Sequence, residues 1–413
     1  MLMAANSFRP GPRPTPAFVE PFLHALNRMQ QRETLRPEQL TARAQALLAD
    51  TMGTKPHPVE AAFAHGNLGL MAEHTHYFDG FALMMRLAQG TAVAVRMVEG
   101  SVSRIAEEGR GARTFDGTDD PPAEQDQVGC LVGALIEALA PPGMGVEAAV
   151  VSTVPFSCEE ARLASAGGAA ARALQALFAR SDDTKALLTL VQNTIVQSIG
   201  RPLSMAYLPT NEAPGSSPYT IVDTATFERM PVEVSSRESP GWGLVETGVR
   251  SPGNFAFYRR KQEQVSAALA ALQRKGFSGL NSFRALEHQD LQRALSVSPR
   301  RFRPVINYVV TENQRVQKLV TAVRRSDWQM LGALLKMSHA ALKSDWESTS
   351  AETDFVVEQV EEMSIDGMYG AGQRGRGGVV LAVGQPYTVP PSLDRIKSAY
   401  EARFGTPPAV RLL

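Results

Sequence analysis

Cysteine is nearly absent from this chain: Cys130 and Cys158 are the two among 413 residues, and both lie in apolar surroundings. A disulfide framework needs more, so the expected setting is a reducing one, the cytoplasm. A surplus of charge is absent too, since 42 basic residues stand against 42 acidic ones. With no net field to attract polyanions, neither nucleic acid nor a membrane surface is expected as a partner. Long apolar runs are missing. The most apolar region, 128–158, is broken by Glu137, Pro141, Pro142 and Glu147, which excludes a membrane span. The N-terminal segment holds Arg9 and several prolines without the apolar core of a secretory signal. There is no internal repeat. What is present is an ordinary globular composition, 44% hydrophobic and 20% charged, in a chain long enough for two packed domains.

The pattern along the chain changes period several times. Residues 17–50 show helical spacing, with Phe18, Phe22, Leu26 and Met29 on one face. Residues 59–98 read as strands around the glycines at 66 and 69, and 107–126 as a loop. Helices are predicted over 127–139 and 159–180, the second rich in alanine. Residues 211–217 (NEAPGSS) form the best linker, followed by a strand at 220–224. Helices are then expected at 255–275, 283–294, 305–325 and 326–346. A glycine-rich turn at 367–378 leads to a strand at 379–383, and a helix at 392–404 closes the chain. Strands followed by helices in each half imply two α+β domains with a cleft between them.

Five collinear segments carry a resemblance. Residues 64–77 read AHGNLGLMAEHTHY, 221–228 IVDTATFE, 309–316 VVTENQRV and 337–354 MSHAALKSDWESTSAETD, and Arg259 and Arg260 sit in FYRRKQEQ. Together they resemble the galactokinases of the GHMP kinase superfamily, from about Leu40 to the C-terminus. The resemblance implies a two-domain α+β GHMP-kinase-like fold with an interdomain cleft. Residues 1–39 become an N-terminal extension with one helix, 40–215 the first domain and 216–413 the second. It also implies an ATP-dependent sugar kinase that makes a sugar 1-phosphate with Mg-ATP.

The chemistry-bearing positions depart from that pattern. The family's first motif has arginine where this chain has Asn67 and aspartate where it has His76. Its phosphate-cradling loop needs glycines so that backbone N–H groups can approach phosphate oxygens. Here the loop reads PFSCEEARLAS from Pro155, with Ser157 and Glu159 in place of both glycines and Glu160 as a second carboxylate. A like charge 4 Å from a phosphate costs on the order of 1 kcal/mol even in water. The magnesium-binding serine falls at Ala161, Arg162 or Leu163, none of them an oxygen ligand. The catalytic aspartate becomes Ala206, which cannot accept a proton. Mg-ATP, the family's cofactor, is therefore doubtful for this chain.

Glu73 and His74 remain at positions that bind sugar hydroxyls in the family, and with His76 and Asp79 they form the candidate substrate site. Gly370, Gly372, Arg374 and Arg376 form a candidate anion nest, against the plainer reading of a turn between helix and strand. His65, His74 and His76 fall within twelve positions, which opens a metal possibility, but no helical His spacing accompanies them and no metal ligand is assigned. Ser338, His339 and Asp354 do not make a triad, because adjacent residues of a helix face different ways. The expected function is a divergent galactokinase-family protein, a pseudokinase or repurposed enzyme that has lost galactose phosphorylation and binds a sugar or other small polar molecule. The alternative is an active sugar kinase that uses another carboxylate, Asp79 or Asp223.

Overall fold

The structure is a computed structural model that describes residues 35–115, 127–200, 203–209, 216–236, 238–249, 255–375 and 378–413. The expected helical face at Phe18–Met29, residues 211–215 of the linker, and Arg376 lie outside them.

The first lobe starts with helix α1 (Pro37–Met52), with proline in its first turn and its end at Gly53 (φ 77°). Strand β1 (Glu60–Met71) is followed by the 18-residue β2 (Phe81–Val98), then the hairpin β3 (Ser103–Glu107) and β4 (Gly111–Phe115). Next come α2 (Gln127–Leu139), β5 (Gly145–Ser152), α3 (Glu159–Leu177) and α4 (Thr184–Ile199). β2 organises the sheet. β1 runs antiparallel along one edge, and the other edge takes β5 at residues 91–98 and β6 (Tyr219–Asp223) at residues 81–85. β7 (Arg229–Pro231) extends β6. On one face α1 buries Leu40, Ala44, Leu48 and Met52, four residues apart, against small residues of β2 and β5. On the other face α3 lies against the sheet, and its alanines let the backbones come close.

The second lobe has β8 (Gly241–Glu246), α5 (Phe255–Gln273), α6 (Leu291–Val297), α7 (Arg303–Arg325), α8 (Trp328–Ala341) and α9 (Ala351–Glu362). The chain ends with β9 (Met368–Arg374), β10 (Val379–Gly384), α10 (Val389–Phe404) and β11 (Ala409–Leu412). Its antiparallel sheet has the order β11-β8-β10-β9. One apolar cluster unites the lobes, joining Leu70, Leu83 and Tyr219 to Trp242, Leu319 and Leu381.

The mixed architecture agrees with the expected α+β fold. Several elements differ. Residues 107–115 are not loop, because β4 pairs with β3. The expected helix 283–294 is two tight turns and the short α6. Residues 219–231 pair into the first sheet, so by strand pairing the lobes divide after β7 and not at 216. The largest correction concerns the glycines at 367–378, which are mostly strand. A Cβ on Gly370 would sit 2.2 Å from the Gly332 carbonyl oxygen, and one on Gly372 would sit 2.7 Å from that of Leu335. These glycines alternate towards α8 and let helix backbone rest on strand backbone. They serve packing, not an anion.

Candidate functional site

The cleft is built on the sharp turn after β1. His74 and Asp79 both take left-handed backbone angles (φ 63° and 58°), rare for non-glycine residues, around one tight turn at Thr75–Phe78. The Thr75 hydroxyl donates to the Ala72 carbonyl at 3.2 Å, and the Gly80 N–H donates to Thr75 O at 3.0 Å, fixing the loop.

Glu73 is buried at 5% exposure. Its Oε1 accepts a hydrogen bond from the Gly375 N–H at 2.8 Å and its Oε2 one from the Ala72 N–H at 3.2 Å. Its backbone carbonyl accepts from the Tyr308 hydroxyl at 3.1 Å. Burial raises the Glu73 carboxyl above its ordinary range, and Arg374 with the backbone donors only partly offsets this. The carboxylate expected to face a sugar is thus used within the protein. It occupies the Gly375 N–H of the glycine-rich segment.

His74 is held in an aromatic box. Its ring centroid lies 5.0 Å from Trp346 and 5.5 Å from both Tyr258 and Tyr77. Lys261 Nζ lies 5.1 Å from the Trp346 ring and 5.6 Å from Phe257, a cation–π arrangement. Desolvation lowers the pKa of this ammonium. The His76 ring lies 4.2 Å from that of Tyr77, tilted by 52°. The space between Glu73, His74, His76, Tyr207 and Tyr258 is about 30 Å³, room for roughly one or two water molecules.

The expected phosphate loop is also filled. The first turn of α3 carries Glu159 and Glu160, so the helix N-terminus has its anions in its own sequence. A Cβ on Gly375 would lie 3.0 Å from Glu160 Oε2, so this carboxylate rests on the glycine that also bonds Glu73. The adjoining space, bounded by Ser157, Cys158, Glu160, Tyr207 and Arg374, is about 10 Å³. Arg162 lies over the Phe156 ring at 4.5 Å. Burial, with Glu246 and Glu160 nearby, pushes the Cys158 thiol up to about 12, which makes it a poor nucleophile.

Arg374 lies wholly buried at 1% exposure, folded back over Gly372, with Nη1 donating to the Gln373 carbonyl. Its Nε and Nη2 have no hydrogen-bond partner among the described residues. It is the Coulombic counterpart of Glu73.

Asn67 and Ala206 serve as neutral scaffolding. Asn67 Nδ2 donates to the Tyr207 and Leu208 carbonyls, both at 3.3 Å. This pins the tight turn Met205–Tyr207, in which Ala206 is fully buried. Tyr207 fills the space beside it, and burial with Glu73 and Glu160 nearby holds its phenol far above the usual range. A magnesium triphosphate does not fit these residues. Two carboxylates occupy the cradle, and no oxygen ligand stands at 161–163.

Other predicted residues go elsewhere. Asp79 does not line the cleft, and its carbonyl accepts from Arg284. Asp223 is held by Arg284 at 2.5 and 2.6 Å, with the guanidinium over Phe81. That ion pair lowers its pKa, a structural role that leaves it no freedom as a base. His65 Nδ1 bonds the Leu87 carbonyl at 3.0 Å, apart from His74 and His76. No group of three His, Cys, Asp or Glu placed to hold a metal occurs among the described residues. Ser338 bonds Glu312 while His339 bonds Asp354, so their side chains diverge. Sequence reasoning missed Tyr207, Tyr258, Trp346 and Lys261. Their aromatic or cationic type beside family-like motifs was the available signal.

No helix among the described residues is long and apolar enough to cross a membrane. Residues 48–97 match a family model described as the galactokinase galactose-binding signature. The chain is 24% identical over 355 residues to a galactokinase of Thermotoga maritima, covering 83% of this chain and 94% of that one. It is 25% identical over 384 residues to the human galactokinase, covering 88% and 92%. Among solved structures, Lactococcus lactis galactokinase complexed with galactose superposes with a TM-score of 0.75 at 22% identity, over 90% of this chain and 97% of that one. Methanococcus jannaschii mevalonate kinase superposes at 0.58 with 11% identity, over 86% and 97%. By the signature, the collinear relatives and the fold, this chain is similar to galactokinases along most of its length.

Proposed function

We propose that this chain is a galactokinase-like pseudokinase, a protein that keeps the kinase fold but does not pass phosphate from ATP to galactose. One observation carries the reading: the Gly375 N–H, at the point where an anion would be cradled, is bonded to the protein's own Glu73 and covered by Glu160. Ala206 and Asn67 support it, because alanine cannot act as a base and the uncharged Asn67 amide gives its Nδ2 to the Tyr207 and Leu208 carbonyls. The cleft then serves a small polar ligand that meets Glu73 and His74, and a hexose enters only if the aromatic box around His74 moves. With an imidazole at 76 in place of the family's carboxylate, a ligand bearing an acceptor is favoured over plain galactose.

The galactokinase relatives favour a second reading, an active sugar kinase whose site rearranges on binding. Calorimetry with Mg-ATP, and ADP release in the presence of galactose, separate the two. The pseudokinase binds no Mg-ATP at millimolar concentration and releases no ADP. A ligand at 100 times its dissociation constant stabilises the native state by about 2.7 kcal/mol. A melting shift of that size, with galactose-dependent ADP release, would establish the kinase instead.

A further inference from the structure

The 42 basic and 42 acidic residues balance only over the whole chain. Residues 255–303 hold ten basic side chains against three acidic ones. At physiological salt, charges are screened beyond about 8 Å, so a local excess acts on its own surroundings whatever the total.

Six of these cations are exposed and gather on two adjoining segments. Arg274 and Lys275 follow the end of α5, and Arg300, Arg301 and Arg303 stand between α6 and the body of α7. Arg293 on α6 joins the two groups. Its Nη2 donates to the Gly276 carbonyl at 3.5 Å, and its guanidinium lies over the Phe277 ring at 4.8 Å. Arg303 reaches back through Nε to the Ser298 carbonyl at 3.4 Å, just past α6. None of the six is in an ion pair among the described residues. Of the nearby acids, Glu263 pairs with Arg259 and Glu287 accepts from Gln289, while Asp290 precedes α6. Arg274 and Lys275 offset the negative end of the α5 dipole, but Arg300, Arg301 and Arg303 crowd the positive end of α7, where the dipole disfavours them.

What this face lacks selects its partner. No large apolar side chain of residues 274–303 is exposed, so there is neither an anchor for a lipid layer nor the apolar core of a protein–protein contact. A nucleic-acid backbone needs neither. Each phosphate that is neutralised releases counterions, and that release supplies the affinity. Arginine, five of the six, suits phosphate through its planar fork of donors. We propose that this face binds the phosphate backbone of a nucleic-acid duplex without regard to base sequence. It lies at the far end of α5 from the cleft residue Tyr258, about 24 Å along the helix at 1.5 Å per residue. The proposal therefore stands whether or not the cleft transfers phosphate.

The test is fluorescence polarisation of a labelled DNA duplex about 20 base pairs long, titrated with the full chain at several salt concentrations. Binding should be micromolar at about 50 mM NaCl and equal for two unrelated sequences, with a log–log salt slope of about −5 for six contacts. Arg274→Gln, Lys275→Gln and Arg300→Gln together remove three cations without touching the Arg293 and Arg303 bonds. This variant should bind at least tenfold more weakly, with a slope of about −3, and melt no lower than the native chain. Lys318→Gln with Lys397→Gln, at exposed positions elsewhere, should change neither binding nor slope. No saturable binding, a slope near zero, or undiminished binding by the triple variant overturns the proposal. So does tighter capture by phosphatidylserine vesicles or polyglutamate than by the duplex.

Discussion

Two buried glutamates, Glu147 in the first lobe and Glu73 in the cleft, show how differently this molecule treats charge. Glu147 on β5 is 1% exposed, and burial alone would raise its pKa. Hydrogen bonds from Lys55 and Arg96 outweigh that and hold it below its usual range. Arg96 reaches Glu147 Oε2 at 2.7 Å through Nη2 and 2.9 Å through Nε, and Nη2 also donates to the Met52 and Gly53 carbonyls. Glu73 is buried too, but Arg374, the cation that lowers its pKa, gives it no hydrogen bond among the described residues, and its pKa rises. The first is a finished structural ion pair. The second is a residue whose surroundings still have the character of a site.

Breaking the finished pair should have the largest effect. Arg96→Ala leaves Glu147 buried with only the outer contacts of Lys55 and Arg104, and should cost about 3–5 kcal/mol. Urea unfolding measures it, and a loss under 1 kcal/mol would remove the contrast. Glu73→Gln should act in the opposite sense. A carboxyl with a raised folded pKa binds more protons folded than unfolded, so stability falls as pH rises from the unfolded value through the folded one. The amide carries no charge and keeps an acceptor for the Gly375 N–H, while its NH2 replaces the oxygen that accepts from the Ala72 N–H. The variant should lack that slope and gain at most about 1 kcal/mol at neutral pH. Equal pH profiles for the two proteins would show that the Glu73 charge is already compensated.

Asp354 sharpens the scale at its smaller end. Burial would raise it, but bonds from His339, Lys343 and Thr349 lower it to about 2 from 3.8. Its stabilisation is therefore complete above pH 3.8 and lost as pH falls towards 2. It is more exposed than Glu147, so Asp354→Asn should cost about 1 kcal/mol at neutral pH. The variant should be less sensitive to acid than the native chain. An unchanged acid midpoint would assign the pH 2–4 stability to other carboxylates.

Much of the fold was legible because its signals are local. Pro37 and Gly53 bound α1, alanines mark α3, and the segments around 221, 309 and 337 kept family-like residues at secondary-structure positions. Even so, α4 follows from end signals and not from its apolar pattern. Asp183 caps its start by accepting from the Lys185 and Ala186 N–H groups, and Gly200 ends it in the left-handed region. The residue types at Asn67, Ala206 and the 155–165 loop could also be read directly, since the presence of a base or a glycine is a property of one position.

The sequence by itself determined which groups can titrate or carry charge: alanine cannot act as a base, nor asparagine carry a charge, in any fold. Only the tertiary structure decided what the remaining groups do. Glycines that admit a phosphate and glycines that admit a helix look alike in one dimension, and the position of α8 over Gly370 and Gly372 settled the choice. Glu73 meets the Gly375 N–H across 302 residues of chain. Coulomb energy and desolvation depend on distance and burial, and neither quantity exists until the lobes have packed.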